Sequence, residues 1–494
     1  MIIREKQLLT RQTKYLLLGI ILFTLITRLI RLDFESLWLD ELHTMNEADP
    51  DLSWEKLMWH LGCCDQHPPM HFILVKYLFK FFGHTALVAR FPSAIAGALS
   101  VWAIFCLGRE MRSQRAGLIA ALITAVNIFH LHYSQEARNY ILAFLFAILS
   151  FLWLVKLLKE ITIKNSVMYG LMTALFLYTH YFSLFTVASQ VVIIAIFFFA
   201  EPKEGKARFF RIFLISALII ALGYLPWIPH LMNMTAISSF WINPVRHTFW
   251  VDFFFDYFSN VAVVKMLALA TGLFYLGYSF YLGRGRINFR NLRQRPAAMT
   301  LLILATWIFI TELIPYLRSI MLVPMLIARY TIVVLPAFLL AIAFGFDMIP
   351  KKTVRITMIS IFVLLSVWSI LFKADYYQDI SKTQFREMQR YVVDNNKENY
   401  PVISELTYWH QEYYWKHYKY FPTYLPGAKV VAVDSVLRKA TPRHDVKGFW
   451  IIGAHGETPL SPEQRVGLDT AYTLVRDEAW RDAWAQLWIR KEKP

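Results

Sequence analysis

Trp38-Leu39-Asp40-Glu41-Leu42-His43 opens, and Asp65-Gln66-His67-Pro68-Pro69 closes, an acidic loop inside a chain that is otherwise apolar and basic. Between Asp33 and Asp65 stand nine carboxylates (Asp33, Glu35, Asp40, Glu41, Glu47, Asp49, Asp51, Glu55, Asp65) against one base, Lys56, while the formal net charge of the whole chain is +16. A segment whose charge opposes that of its protein belongs on the far side of a barrier. That barrier is a bilayer. Of the 494 residues 57% are apolar and 16% aromatic, and runs approaching the roughly 20 residues a spanning helix needs recur from Tyr15 to Lys373. Soluble domains do not carry this pattern.

Working outward from the loop, hydropathy places about eleven spans, near 15–31, 86–108, 116–133, 140–157, 166–180, 182–200, 209–228, 263–283, 297–316, 328–349 and 354–372. The stretch 70–82 is apolar but short and carries Lys76 and Lys80, which predicts a juxtamembrane helix lying in the interface; 320–327 is also too short to span. Lys and Arg collect in cytoplasmic loops. The N-terminal Arg4, Lys6, Arg11 and Lys14, and the loops 109–115, 156–164, 203–211, 284–295 and 351–355, all fall on one face. The acidic loop, Ser134-Gln135-Glu136-Ala137-Arg138-Asn139-Tyr140, His180-Tyr181, 229–260 and 318–330 fall on the other. The expected topology is a cytoplasmic N-terminus in the inner or plasma membrane and an outer-face segment after Lys373. The first span lacks a small-residue cleavage site and ends in charged residues, which predicts a retained anchor. Positive charge is accounted for by topology, so a nucleic-acid partner is not needed to explain it.

The fold class expected is therefore a polytopic α-helical membrane domain over residues 1–373, with the acidic loop at 32–69, followed by a small soluble outer domain over 374–494. In that last part 384–395 has helical spacing, with Phe385, Met388, Tyr391 and Val392 on one face. Short apolar runs at 401–404, 429–433 and 448–453 are bounded by turn residues. Alternating strands and helices predict an α/β arrangement. Cys63 and Cys64 are adjacent in the outer loop and Cys106 lies in a span; two plain loop thiols are expected, since vicinal disulfides are rare.

Ionisable groups at a membrane boundary are costly unless paired or used, which makes them functional candidates. Asp40-Glu41 follows the first span closely. Glu136 and Arg138 sit at the outer mouth of two spans, and Arg329-Tyr330 at the outer end of another. An acid, two arginines and His67 in one pocket would deprotonate a hydroxyl and hold a phosphate, because guanidinium forks match phosphate oxygens. Plainer roles stand beside these. The carboxylates are solvated loop residues, His67 caps a turn stiffened by Pro68 and Pro69, Glu136 pairs with Arg138, and Arg329 snorkels to the interface. Aromatic residues near loop ends such as Trp38, Trp59 and Tyr133 fit an interfacial belt.

The combination and order of these segments resemble the GT-C membrane glycosyltransferases of the protein O-mannosyltransferase type, which include the bacterial lipid A aminoarabinose transferase. The matching features are Leu37-Trp38-Leu39-Asp40-Glu41 after the first span and His67-Pro68-Pro69-Met70-His71-Phe72. They continue with Phe82-Gly83, Ala89-Arg90-Phe91-Pro92-Ser93-Ala94, the 134–140 segment, and Ala328-Arg329-Tyr330 with Pro336. The resemblance implies an inverting glycosyltransferase that moves a hexosyl or pentosyl group from a polyprenyl-phosphate donor to a hydroxyl of a protein, lipid or glycan at the outer face. It puts the acidic catalytic residue on Asp40, as base or acceptor-positioning group, with Glu41 beside it. A basic residue precedes the paired prolines in some members; His67 occupies that place here. A histidine is fully charged only below about pH 6.5 unless an acid such as Asp65 helps it. Arg138 and Arg329 are the remaining donor-phosphate candidates, with Glu136, Tyr140, Tyr330 and Asp65 lining the pocket. One carboxylate suffices where the leaving group is already a phosphodiester, unlike glycoside hydrolysis. No cofactor is obligatory. A divalent metal is compatible, but His43, His60, His67 and His71 lack a recognisable ligand spacing. The rival expectation, a transporter or flippase of lipid-linked saccharide, calls for charged or broken helices at mid-membrane and a repeat between halves; here the polar groups gather at one face.

Overall fold

The structure is a computed structural model that describes residues 9–63, 65–235, 241–283, 292–293, 295–404, 413–414, 447–456, 460 and 462–491. The run expected as a strand at 429–433 lies outside them, as does Cys64. The chain divides into two compact units: Met1–Ile30, Ser53–Val75 and Arg90–Tyr377 in the first, and Arg31–Leu52, Lys76–Ala89 and Gln378–Pro494 in the second.

Among the described residues eight helices are long and apolar enough to cross a membrane: Arg11–Leu29, Ala86–Met111, Tyr140–Lys159, Ser183–Ala200, Lys203–Thr235, Ala262–Tyr281, Pro296–Met321 and Lys352–Lys373. The other three expected spans hold shorter helices, for local reasons. The 116–133 span breaks into Gln114–Ala125 and Ile128–Tyr133. Between them Asn127 caps the second piece, its Oδ1 accepting the His130 N–H at 2.8 Å while its Nδ2 donates to the Tyr257 carbonyl at 2.8 Å. A side chain that serves the backbone in this way competes with helix continuation. The 328–349 span becomes a short 3-10 turn, Tyr330–Val333, and Leu335–Met348, with Pro336 in its first turn, where a missing N–H does no harm. Carbonyls freed by the turn are met by side chains: Tyr257 OH donates to Thr331 O at 2.7 Å and Trp307 Nε1 to Val333 O at 3.2 Å. The third piece, Ile163–Leu177, has 15 residues and begins at a Thr162 cap.

Tyr140–Lys159 is the core of the first unit and is buried along most of its length. It packs against Ile163–Leu177, Ser183–Ala200 and Leu335–Met348, and Phe151 stacks on Trp307 with centroids 3.6 Å apart. Small residues bring helices close, as is common where lipid removes the hydrophobic drive for association. A Cβ at Gly345 would run into the Thr271 carbonyl of the neighbouring Ala262–Gly283 helix. Asp347, beyond Gly345, receives Arg112 at 2.6 Å and also Arg115, tying the Arg-rich 109–115 turn to the end of Leu335–Met348.

In the second unit a four-stranded sheet runs in the order β1-β2-β4-β3, where β1 is Val402–Ser404, β2 Gly448–Ala454, β3 Tyr472–Trp480 and β4 Ala483–Arg490. The first pair is parallel and the others antiparallel. β2 is buried at every position, and the expected helix is present as Phe385–Asn395 with Phe385, Met388 and Val392 inward. Part of the acidic loop folds with this unit. Tyr414 OH meets Ser36 Oγ and the Leu37 N–H, each at 3.0 Å, and Glu35 accepts the Ser381 N–H at 2.6 Å and the Lys382 N–H at 3.1 Å. Lys76, expected at the interface, is buried and donates to the carbonyls of Asp49 and Leu52, the latter at 2.7 Å.

Candidate functional site

Four loops of the first unit meet around Asp65, Arg138, His180 and Arg329-Tyr330, and backbone-directed bonds hold three of them together. Asn139 Nδ2 donates to Thr179 O at 2.7 Å, and the Met70 N–H donates to Tyr178 O at 3.2 Å. The 65–69, 134–139 and 178–182 loops therefore behave as one piece. Ser93 Oγ adds a bond to Arg138 O at 3.4 Å.

Within that frame three sequence candidates converge. His67 Nδ1 lies 2.6 Å from Asp65 Oδ1, and Arg138 Nη1 lies 3.2 Å from Asp65 Oδ2. The other Arg138 nitrogen, Nη2, points at His67 Nε2 from 3.1 Å. A guanidinium only donates, so in this arrangement Nε2 accepts and Nδ1 carries the proton to Asp65. Here His67 is thus a neutral strut between an acid and an arginine, a different state from the imidazolium that a phosphate contact would use. Arg138 is 3% exposed at its side chain, so its charge is set in a water-poor site.

Glu136 and Arg138 each have partners besides one another. Glu136 Oε1 lies 3.1 Å from His132 Nε2, one helical turn back. Tyr140 and Tyr330 face one another with centroids 6.2 Å apart, and both flank the His180 ring at 5.8 and 5.0 Å. Arg329 lays its guanidinium over Trp241 at 5.3 Å and Tyr330 at 5.7 Å, so the aromatic residues of this region do more than line an interface.

His180 was not singled out by its sequence context, where it is one histidine at a span end. Its ring is buried, 6.0 Å from that of His67. Burial pushes its pKa well below the ordinary value, and the charges of Arg138 and Arg329 push it the same way.

In the second unit Asp40 and Glu41 occupy the first turn of Leu39–Glu47. Their environments differ: Asp40 is half-buried, whereas Glu41 is fully buried and accepts Lys382 Nζ at 3.0 Å. His43 and Glu47, four residues apart on the same helix, bring ligand-type atoms within 4.8 Å of each other. Cys63 is disulfide-bonded, contrary to the expectation of a plain thiol, and Cys106 is free.

A profile of the family described as dolichyl-phosphate-mannose-protein mannosyltransferase matches residues 66–230, the segment that carries His67, Glu136, Arg138, Tyr140 and His180. Among solved structures, ArnT from Cupriavidus metallidurans in the apo state superposes with a TM-score of 0.61 at 11% identity, covering 96% of this chain and 98% of that one. The chain has the GT-C fold. The same ArnT has been solved bound to undecaprenyl phosphate (TM-score 0.59, 11% identity, 97% of this chain and 98% of that one). The oligosaccharyltransferase AglB from Archaeoglobus fulgidus, in complex with an inhibitory peptide and a dolichol-phosphate, matches with a TM-score of 0.54 at 12% identity, over 90% of this chain and 70% of that one. A search of curated proteins by sequence finds no match. The expected fold class, a polytopic helical membrane protein with a small C-terminal α/β part, is borne out.

Proposed function

We propose that this GT-C protein is an inverting glycosyltransferase that moves a sugar from a polyprenyl-phosphate-linked donor to a hydroxyl at the outer face of the membrane. The observation that carries this reading is the buried Arg138, which lies with His67 in the segment matched by the mannosyltransferase profile and is braced by His67 and by Asp65. A fixed guanidinium in a water-poor site is suited to a phosphate leaving group. ArnT with undecaprenyl phosphate and AglB with a dolichol-phosphate supply the precedent for such a ligand on this fold.

In the proposed reaction an acceptor hydroxyl attacks the anomeric carbon, the carbon–oxygen bond to the carrier phosphate breaks, and the polyprenyl phosphate departs with the bonding electrons. Asp40 takes the hydroxyl proton. Glu41 is the weaker candidate for that role, because its carboxylate is buried against Lys382. Arg138 and Arg329 oppose the charge that grows on the phosphate. Tyr140 and Tyr330 offer faces and hydroxyls to the sugar, and His67 holds Arg138 in place. AglB has also been solved with zinc and sulfate; in this chain His43 and Glu47 would supply two ligands of the kind such an ion takes.

The outer-face location rests on the Arg- and Lys-rich loops that alternate with the site loops, and on the Cys63 disulfide, since disulfides persist in oxidising compartments. The proposed partners are the donor lipid and a protein, lipid or glycan acceptor. Purified protein in lipid nanodiscs, given a radiolabelled polyprenyl-phosphate hexose or pentose and a membrane extract, should label an acceptor and release polyprenyl phosphate. Absence of release with every such donor, in protein that remains folded, would remove the reading.

A further inference from the structure

We propose that His180 is a ligand of the carrier phosphate, donating a hydrogen bond from Nε2 as a neutral imidazole. This inference rests on the donor class assigned above and adds a residue to it.

The argument begins with the ring's orientation. His180 Nδ1 accepts the Phe182 N–H at 3.1 Å, a bond within the same loop. A nitrogen that accepts from an amide carries no proton, so in the neutral ring the proton is on Nε2. That Nε2–H has no hydrogen-bond acceptor among the described residues, although the residue is only 5% exposed. Nε2 is not among the buried side-chain atoms that lack a partner, so it keeps access to the space beside the ring, where an acceptor from a ligand can reach it.

What surrounds the ring indicates the missing acceptor. Tyr330 at 5.0 Å, Phe182 at 5.6 Å, Tyr140 at 5.8 Å and His67 at 6.0 Å wall it in. Arg138, whose Nη2 lies 3.1 Å from Nε2 of the neighbouring His67 ring, and Arg329, over the Tyr330 ring at 5.7 Å, approach this region from two other loops. A neutral N–H donor flanked by two guanidinium groups suits a phosphate oxygen. Within such a field a neutral donor contributes a hydrogen bond without adding a third positive charge beside the arginines. The direct backbone and side-chain ties among the 65–69, 134–139 and 178–182 loops mean that this donor is set in position before any ligand arrives, which is how a polar site gains affinity without reorganisation.

The variants that separate the roles are His180→Phe, which keeps a ring and removes the donor, and His180→Gln, which keeps a neutral N–H. Binding of polyprenyl phosphate, of the corresponding polyprenol and of inorganic phosphate is measured on full-length protein in nanodiscs by intrinsic tryptophan fluorescence. The expected result is about a tenfold or greater loss of polyprenyl phosphate affinity in His180→Phe, as for a lost hydrogen bond to a charged group, less than threefold loss in His180→Gln, and unchanged polyprenol binding. If His180→Phe does not fold, His180→Met gives the same comparison. Wild-type affinity for polyprenyl phosphate in a folded donorless variant, while Arg138 and Arg329 variants lose it, would overturn the role of His180 and leave the donor class standing. Equal binding of polyprenyl phosphate and polyprenol by the unaltered protein would overturn both. Tight binding of inorganic phosphate that is itself lost in His180→Phe would make the site one for free phosphate and overturn the carrier assignment.

Discussion

Asp65→Asn is the sharpest perturbation the site offers, because one carboxylate serves two partners through different oxygens. Its Oδ1 holds the His67 proton at 2.6 Å, and its Oδ2 faces the Arg138 guanidinium at 3.2 Å. Asparagine keeps the volume and one acceptor but removes the charge. Arg138 is 3% exposed and Asp65 12%, so solvent screening relieves little of the imbalance. Removing one partner of a buried pair costs about 3–5 kcal/mol; the carbonyl that asparagine retains returns about 1 kcal/mol as a neutral hydrogen bond. The expected net loss is about 2–4 kcal/mol, seen as a fall of several degrees in thermal unfolding in detergent. The decisive form is a double-mutant cycle with Arg138→Gln. If Arg138 and Asp65 act as described, Arg138→Gln should cost less in the Asp65→Asn background, with a coupling of about 2 kcal/mol. Strictly additive costs would mean that the two residues stabilise the protein independently, and the picture of Arg138 as a braced phosphate donor would fail.

Other outcomes follow from the same geometry. Asp40→Asn should lower transfer by about two to four orders of magnitude, as for a lost general base, with donor binding intact; near-normal turnover would exclude it from the chemistry. Glu41→Gln should instead lower stability, by about 3 kcal/mol for breaking a buried pair with Lys382, and a selective loss of turnover without loss of stability would reverse the two assignments. Arg329→Lys should weaken polyprenyl phosphate binding by about tenfold or more, since an ammonium keeps the charge but loses the fork and the stacking on Trp241 and Tyr330; equal affinity in calorimetric titration would count against a bidentate contact. Because the folded state holds His180 neutral, with its pKa below that of the unfolded chain, this residue's contribution is present above about pH 6.5 and lost as pH falls through that value; thermal midpoints should fall on acidification, and less so in His180→Gln.

Much of the architecture was legible because membrane crossing and positive loops are written in composition, and composition survives without tertiary knowledge. Where the expectation of continuous spans failed, at 116–133 and 328–349, the cause was a single residue with a local preference, Asn127 or Pro336, whose effect depends on partners far along the chain. Where the helix breaks, Asn127 donates to the Tyr257 carbonyl, and at the turn Tyr330–Val333 the side chains of Tyr257 and Trp307 reach the backbone carbonyls. Hydropathy does not carry that information. The strands β3 and β4 were missed because β4 is buried over most of its length and β3 is largely exposed, so neither shows clean alternation.

For the site, the sequence identified which residue types gather in the outer loops but not who pairs with whom. Glu136 and Arg138, two residues apart, suggested a mutual pair; in the structure each also turns to a histidine, and Arg138 to an acid 73 residues away. The consequence reaches His67. Read alone before Pro68-Pro69 it is a cation in waiting, but an arginine aimed at its Nε2 and an acid at its Nδ1 fix it as neutral. The imidazole better placed to donate is then His180, whose backbone partner Phe182 leaves the far nitrogen protonated. Two histidines whose rings lie 6.0 Å apart thus take opposite roles, one as acceptor to Arg138 and one as donor, because the atom facing each Nδ1 differs: a carboxylate oxygen for His67 and an amide N–H for His180.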